Sequence, residues 1–487
     1  MTTQFPSHIF KAYDIRGVYG TEVTEALAYS LGRAIVEFMK QDQGKNDLTL
    51  VVCQDMRTSS DPLKAELVRG LTDQGADVVD IGLASTPTFY FGVAKYGYDG
   101  GVQVTASHNP GKYNGFKMVR PEACPISGET GIMQIRDMVE QGIFPESKKK
   151  GTVTTRDGVI AAEVAYALSH VDISKIKPMN VVIDNANGMG SLVMEELFKH
   201  LPCTLDKLFF DLDGTFPNHE ANPLIEENNA DIQKRVVQMN ADIGIALDGD
   251  SDRVFFIDNT GQTVEPAIVR GMLAQIYLRA YPGGAVGYDV RPGKITEDMI
   301  LEAGGRPFLT KVGHSLIKEQ SKKENAIFSG ESSGHFFIKA EFGFFEMPAI
   351  IVLQFLKEIS ESGKTVRQYI EPLMKYAHSG EINFEVEDKQ AVFETLKEVY
   401  GATLTQEFDG MSFDLGDWWF NVRASNTESL LRLNLEAKSE EIMKEGVEKV
   451  KKFFAEEQAV QVVLRAEKEL GMGKELDGYL DELADRV

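Results

Sequence analysis

Three aspartates stand at alternate positions in Asp248-Gly-Asp-Ser-Asp-Arg253, directly after the apolar run Ile243-Gly-Ile-Ala-Leu. Carboxylates spaced this way on a loop opened by glycine can converge on one hard cation, and Mg²⁺ accepts a few carboxylates together with a phosphate oxygen. A calcium EF-hand does not fit. Its sixth position needs glycine and its twelfth an acid, where this chain has Arg253 and Asn259. A solvated acidic turn is the plainer alternative, and the buried strand in front of it argues for the metal loop.

A second segment, Thr105-Ala-Ser-His-Asn-Pro110, follows the strand-like Gly101-Val-Gln-Val. Ser107 therefore stands at the carboxyl end of a strand, where α/β sheets place ligands. The Gly-x-Ser-x-Gly elbow of triad hydrolases is absent, so the expected arrangement is a cation against the serine oxygen. A third segment, Arg423-Ala-Ser-Asn-Thr-Glu428, offers Arg, Ser, Asn and Thr side chains with loop N–H groups, which suits a phosphate. In Gly330-Glu-Ser-Ser-Gly-His335, Glu331 and Ser333 place an acceptor beside a donor, as vicinal sugar hydroxyls require. Each of the last three, taken alone, also reads as an ordinary polar turn.

Asp211-Leu-Asp-Gly-Thr215 matches the signature of haloacid-dehalogenase-like phosphatases, in which the first Asp is the nucleophile. Here it lies mid-chain and runs at once into Phe216-Pro-Asn-His219, so it reads as a turn before a loop between domains.

These loops need elements to hold them. Short apolar runs at Leu48–Cys53, Val78–Ile81, Val181–Ile183 and Ile243–Ala246 read as buried strands. Helical patterns at Glu22–Met39, Asp61–Gln74, Gly190–Lys199 and Ile232–Met239 alternate with them. That rhythm predicts mixed, parallel-rich sheets covered by helices. Seams fall near Ser147–Val153, Asp258–Thr263 and Ser362–Thr365, giving expected domains at 1–150, 151–260, 261–375 and 376–487. After Glu381 the pattern becomes strand, helix, strand, strand, helix, the mark of a smaller α+β domain, with an appended helix from about Gln461.

A chain of 487 residues with 43% hydrophobic content suits several cores. The formal charge of −23 argues against a nucleic-acid or anionic-membrane partner. It also requires cations to be gathered locally if the substrate is a phosphate ester. Three scattered cysteines, Cys53, Cys124 and Cys203, indicate neither a disulfide framework nor a thiolate metal site. The amino terminus lacks a signal-peptide pattern, and the apolar stretch Ala349–Leu356 is too short to span a bilayer. A cytoplasmic location is expected.

The four loops, in this order and spacing, resemble the α-D-phosphohexomutase superfamily, with the bacterial phosphomannomutase/phosphoglucomutase branch the nearest match. Lys11-Ala-Tyr-Asp-Ile-Arg-Gly17, Phe216–His219 and Lys311-Val-Gly-His-Ser315 extend the resemblance over nearly the whole chain. It implies three related α/β domains and a C-terminal TBP-like α+β domain around a central cleft. It implies a phosphorylated Ser107, with Asp248, Asp250, Asp252 and the Ser107 phosphate holding Mg²⁺, and His108 in the same catalytic loop. Arg16, Lys117 and Arg253 would flank the transfer site, and Tyr13, His314, Glu331, Ser333 and His335 would meet the sugar. Arg423, Ser425, Asn426 and Thr427 would bind the phosphate that is not being transferred.

The implied activity interconverts hexose 1-phosphate and hexose 6-phosphate, of mannose or glucose, through a hexose 1,6-bisphosphate that is both intermediate and activator. The partner would be a small sugar phosphate, and the enzyme a monomer or homodimer. Lys117 and His335 are the candidates for handling the sugar hydroxyl proton. Two departures stand out: Phe345-Glu-Met347 where relatives often have Asp-Asp-Gly, and Ser429 where proline is usual. The rival readings are a phosphoglucosamine mutase, a phosphatase using Asp211 and a catalytically silent sugar-phosphate binder. The sugar-loop sequences favour a neutral hexose. Arg16, Lys117, Arg253, Lys311 and Arg423 are expected to converge on one cleft.

Overall fold

The computed structural model describes residues 5–291, 293–386, 388–425 and 430–470, with side chains described as far as 455. The chain forms two compact units, Met1–Tyr288 with Thr296–Leu373, and Asp289–Ile295 with Met374–Val487.

The first unit holds three sheets. One runs in the order Ile15–Val18, Tyr113–Val119, Gly101–Val104, Thr49–Gln54, Asp77–Leu83, Val153–Thr155. Its first three strands are antiparallel neighbours and the rest pair in parallel. The second sheet orders Val254–Ile257, Ile243–Leu247, Asn180–Asp184 and Thr204–Leu208, with only the first pair antiparallel. The third has five strands, Arg306–Thr310, Ala285–Asp289, Phe328–Gly330, Phe336–Ala340 and Gly343–Glu346. The sheets are thus mixed, as expected. Each of the four strands and four helices read from the apolar pattern is present, with ends shifted by a few residues.

Burial explains why the site lies where it does. Every residue of Gly101–Val104 and of Ile243–Leu247 is buried, because helices cover the sheets and these strands lie inside them. Apart from Gln103, polar residues appear only where such a strand leaves its sheet. The first emerges into Thr105–Ser107, the second into Asp248. The covering helices are set closely. Helix Glu25–Gln43, capped by the Thr24 side chain, meets helix Ser60–Asp73 where a β-carbon on Gly70 would lie 2.1 Å from the Tyr29 carbonyl.

The second unit is a five-stranded antiparallel sheet in the order Ala377–Glu385, Leu430–Ala437, Trp418–Ala424, Met411–Asp414, Leu404–Gln406. Phe413, Phe420, Leu433, Val450 and Phe454 build its core against helices Lys389–Tyr400 and Glu440–Leu470. This is the expected α+β domain with more strands than the pattern suggested. The last helix is continuous from Glu440, so no separate helix begins at Gln461. No helix among the described residues is long and apolar enough to cross a membrane.

Candidate active site

The serine loop and the aspartate loop meet directly. A β-carbon on Gly249 would lie 2.7 Å from the Ser107 carbonyl, so glycine is required for the approach. Ser107 Oγ donates to Asp250 Oδ1 at 2.7 Å and lies 3.2 Å from His108 Nδ1. Asp250 is gripped again by the start of helix Thr86–Lys95. Thr86 donates its N–H to the Asp250 carbonyl at 2.9 Å and its Oγ1 to Asp250 Oδ2 at 2.5 Å.

Asp248, Asp250 and Asp252 are all buried and offer carboxylate oxygens within 4.8 Å of one another. Lys117, from strand Tyr113–Val119, donates to Asp250 Oδ2 at 2.6 Å and to Asp252 Oδ2 at 2.7 Å. Burial works against the Lys117 charge, yet the two carboxylates hold its ammonium well above the usual value. Asp248 is also raised, which in its case favours the neutral form. Burial and then the neighbouring Asp252 and Asp250 push its carboxyl well up, and its buried Oδ2 has no hydrogen-bond partner. Arg253 Nε stands 3.7 Å from that oxygen. A crowded carboxylate set with an unsatisfied oxygen is a donor set that suits a hard divalent cation.

The third sheet's loop is joined to this one through the main chain. Val254 N–H donates to the Gly334 carbonyl at 3.0 Å, beside an Arg253–His335 bridge. His335 Nε2 lies 3.1 Å from Asp252 Oδ1, and its Nδ1 is 2.9 Å from Glu331 Oε2. Burial alone would lower this imidazole, but Asp252 and then Glu331 carry it up to about 9, so it is charged at neutral pH. Ser333 Oγ donates to Glu331 Oε2 at 2.6 Å. Glu331 Oε1 accepts from Gly313 N–H at 2.9 Å, which ties the His314 loop to the same carboxylate. Tyr13 Oη donates to the Val312 carbonyl at 3.0 Å, and its ring lies 5.7 Å from that of His314.

Arg16 Nη1 donates to Asn109 Oδ1 at 2.6 Å, beside the serine loop, and pairs with Asp14. The charges of Arg253, Arg16 and Lys117 all bear on His108. Burial is the largest cause, and together with these charges it holds that imidazole well below its usual range. Three of the five expected cations therefore gather around Ser107. Lys311 is exposed just past strand Arg306–Thr310.

Arg423 belongs to the second unit. It is buried, faces Arg432 across the sheet, and donates from Nη2 to Glu381 Oε2 at 2.8 Å, while Arg432 Nη1 donates to Glu381 Oε1 at 2.8 Å. Ser425 N–H donates to the Leu430 carbonyl at 2.9 Å. Asn426 and Thr427 lie outside the described residues.

Asp211 is exposed, and Asp213 spends Oδ1 on the N–H and hydroxyl of Thr215. The segment packs on the serine loop instead, where a β-carbon on Gly111 would lie 2.5 Å from the Gly214 carbonyl. It is a turn between domains, as its position suggested.

Arg57 escaped the sequence reading. Its guanidinium donates to the carbonyls of Ser107, Asn109, Pro110 and Tyr113 at 2.6–3.1 Å, and its Nε to Asp55 Oδ2 at 3.0 Å. All five donors are used, three of them on the serine loop and one on Tyr113 at the start of the next strand. Its position, just past the buried strand Thr49–Gln54, was the available signal.

Four family models cover this architecture. They are the phosphoglucomutase/phosphomannomutase α/β/α domains I, II and III, matching residues 7–146, 163–261 and 267–376, and the C-terminal domain, matching 381–453. A protein named "Phosphohexose mutases" from Xanthomonas campestris pv. campestris (strain B100) is 41% identical over 434 residues, 88% of this chain and 95% of that protein. A phosphomannomutase of Vibrio cholerae is 38% identical over 460 residues, 91% of this chain and 98% of that protein. A crystal structure of a phosphoglucomutase/phosphomannomutase family protein from Burkholderia thailandensis superposes with TM-score 0.84 at 30% identity, covering 92% of this chain and 97% of that one. With all four domains matched in order, the chain belongs to the phosphoglucomutase/phosphomannomutase family, whose enzymes are isomerases of the intramolecular phosphotransferase type.

Proposed function

We propose that the enzyme interconverts the 1- and 6-phosphates of mannose or glucose, using Ser107 as the phosphoryl carrier and a hexose 1,6-bisphosphate as intermediate. The observation that carries this is the Ser107 hydroxyl 2.7 Å from Asp250, inside a ring made by Lys117, Arg16 and Arg253. Asp248, Asp250 and Asp252 would hold Mg²⁺, which when bound supplies charge neutralisation beside a phosphorylated Ser107. Within this reading the stretches 1–150, 151–260, 261–375 and 376–487 carry the phosphoserine, metal, sugar and distal-phosphate sites.

Phosphoryl transfer depends chiefly on positioning and on cancelling charge. The P–O bond at Ser107 Oγ breaks as one forms to the free sugar oxygen, and the sugar hydroxyl gives up its proton. The serine oxygen leaves with its bonding electrons and keeps its place against Asp250. The bisphosphate turns end for end, and Ser107 then takes back the other phosphate. Glu331 and Ser333 would read the hydroxyls, with Tyr13 and His314 beside them. His335, charged through Asp252 and Glu331, holds a proton at the sugar side of the metal loop. The base that takes the hydroxyl proton is therefore a group that has first lost one, and Lys117 must leave its two carboxylates to serve. Arg423, Ser425, Asn426 and Thr427 would retain the distal phosphate.

The test supplies glucose 1,6-bisphosphate and compares mannose 1-phosphate, glucose 1-phosphate and glucosamine 6-phosphate in coupled assays, with intact-protein mass spectrometry. Turnover of the first two, and one phosphoryl group that Ser107→Ala lacks, is expected. Preference for glucosamine 6-phosphate would reassign the sugar. Release of free phosphate as main product, or normal turnover by Ser107→Ala, would overturn the mechanism.

A further inference from the structure

Behind the sugar loop lies an ion pair that the chemistry above does not use. Lys318 Nζ stands 2.6 Å from Glu346 Oε2, and the two side chains are 3% and 0% exposed. Glu346 ends strand Gly343–Glu346, within the stretch Phe345–Met347 that departs from the usual Asp-Asp-Gly. Lys318 lies one helical turn beyond His314 on helix His314–Lys323, so both face the same way.

The surroundings are aromatic. Lys318 Nζ sits 4.0 Å from the centre of the Tyr90 ring and 5.6 Å from that of Phe337. Tyr90 comes from helix Thr86–Lys95, whose first residue grips Asp250. The pair is therefore boxed between the helix that holds the aspartate loop and the helix that starts at His314.

A buried ion pair in such a box is poor value as a stabiliser, since desolvation of both charges offsets most of their attraction. Its direction is informative. The carboxylate end approaches the active site: Glu346, His335 and Asp252 offer ligand-type atoms all within 4.8 Å of one another. Asp252 belongs to both this trio and the three-aspartate set.

The geometry points to Glu346 as a positioning residue for the cation site, with Lys318 as its anchor. Glu346 adds negative charge behind Asp252 and His335 without entering the three-aspartate set, and Lys318 fixes where that charge sits. This inference rests on the proposed Mg²⁺ site at Asp248, Asp250 and Asp252. At a separation of several ångströms in a protein interior, one unit charge changes the affinity for a divalent ion by at least about tenfold.

The test measures Mg²⁺ dissociation constants by titration calorimetry on the whole chain, with circular dichroism confirming the fold. Glu346→Gln is expected to weaken Mg²⁺ by about tenfold, because the charge it removes is the one beside Asp252. Lys318→Met is expected to tighten it. A purely structural pair would shift both variants the same way, and that result, or shifts under about twofold in both, overturns the inference. Should either single variant fail to fold, the exchange Lys318→Glu with Glu346→Lys keeps an ion pair but turns it round. Weaker Mg²⁺ binding by about tenfold is expected there, and unchanged affinity overturns the inference. Asp250→Asn is the control. If it leaves Mg²⁺ affinity intact, the cation site itself is misassigned and the inference falls with it. If it abolishes binding while the Glu346 variants do nothing, only the role given to Glu346 fails.

Discussion

Arg57 Nη2 donates to the main-chain carbonyl of Ser107 at 2.8 Å, and Ser107 itself has the left-handed backbone of φ 51°. A serine gains nothing from that conformation, so the neighbouring structure must impose it. Arg57 does so from beneath, with Asp55 fixing its Nε and the Phe216 ring 5.0 Å from its guanidinium carbon.

Arg57→Lys therefore tests loop positioning apart from charge. A lysine keeps the cation but cannot span four carbonyls with a planar fork. The expected result is a fall in kcat of about a hundredfold, with KM changed by less than about threefold, because Arg57 has no donor left for substrate. Steady-state kinetics on both sugar 1-phosphates checks this. A variant with wild-type kcat would show that the loop holds itself.

Asp211→Asn should leave turnover within about threefold of wild type, since the side chain is exposed and only its carbonyl is engaged, by Asn187 Nδ2 at 2.9 Å. A loss comparable to that of Ser107→Ala would revive the phosphatase reading.

Arg423→Ala should raise KM and lower kcat together, each by about tenfold, if the distal phosphate is used to orient the reacting end. Arg253→Ala should lower kcat with less effect on KM. Unchanged kinetics for Arg423→Ala on both 1- and 6-phosphates would remove it from the substrate site.

Glu163 gives a pH prediction that concerns stability. It is buried on helix Val159–His170, accepts from Thr88 Oγ1 at 2.5 Å, and is pushed by burial up to about 7 from an ordinary 4.5. The folded protein thus holds this proton more tightly than the unfolded chain. The stability it lends is complete below about pH 4.5 and is lost as pH rises through about 7. Glu163→Gln should remove that slope and gain on the order of 3 kcal/mol over wild type above neutrality. Denaturant midpoints across this range check it, and parallel profiles for the two proteins would refute it.

What could be read in the sequence follows from what kind of contact each residue makes. Ser107, Asp248 and Glu331 stand in short polar loops against apolar strands, and Arg423 near the end of such a strand, so contrast along the chain exposes them. Arg57 spends its donors on backbone carbonyls of residues some fifty positions away, which leaves no trace in local composition. The Lys318–Glu346 pair is likewise joined only by folding, and Glu346 drew notice solely as a departure from an expected pattern. The C-terminal sheet has more strands than were read because two of them, Leu404–Gln406 and Met411–Asp414, are too short to show alternation.

The contact at Gly249 bears on how this site can change over time. A missing β-carbon sets the separation between the serine loop and the aspartate loop, and its neighbour Asp250 is held by Thr86 as well. Even alanine at 249 would drive Ser107 and the aspartates apart, and no adjustment of a flexible side chain could absorb the displacement, because the atom it meets is backbone. Under the proposed mechanism, variation in sugar preference would then arise around the Glu331 and His314 loops, while the spacing between the serine and its carboxylates stays at one width.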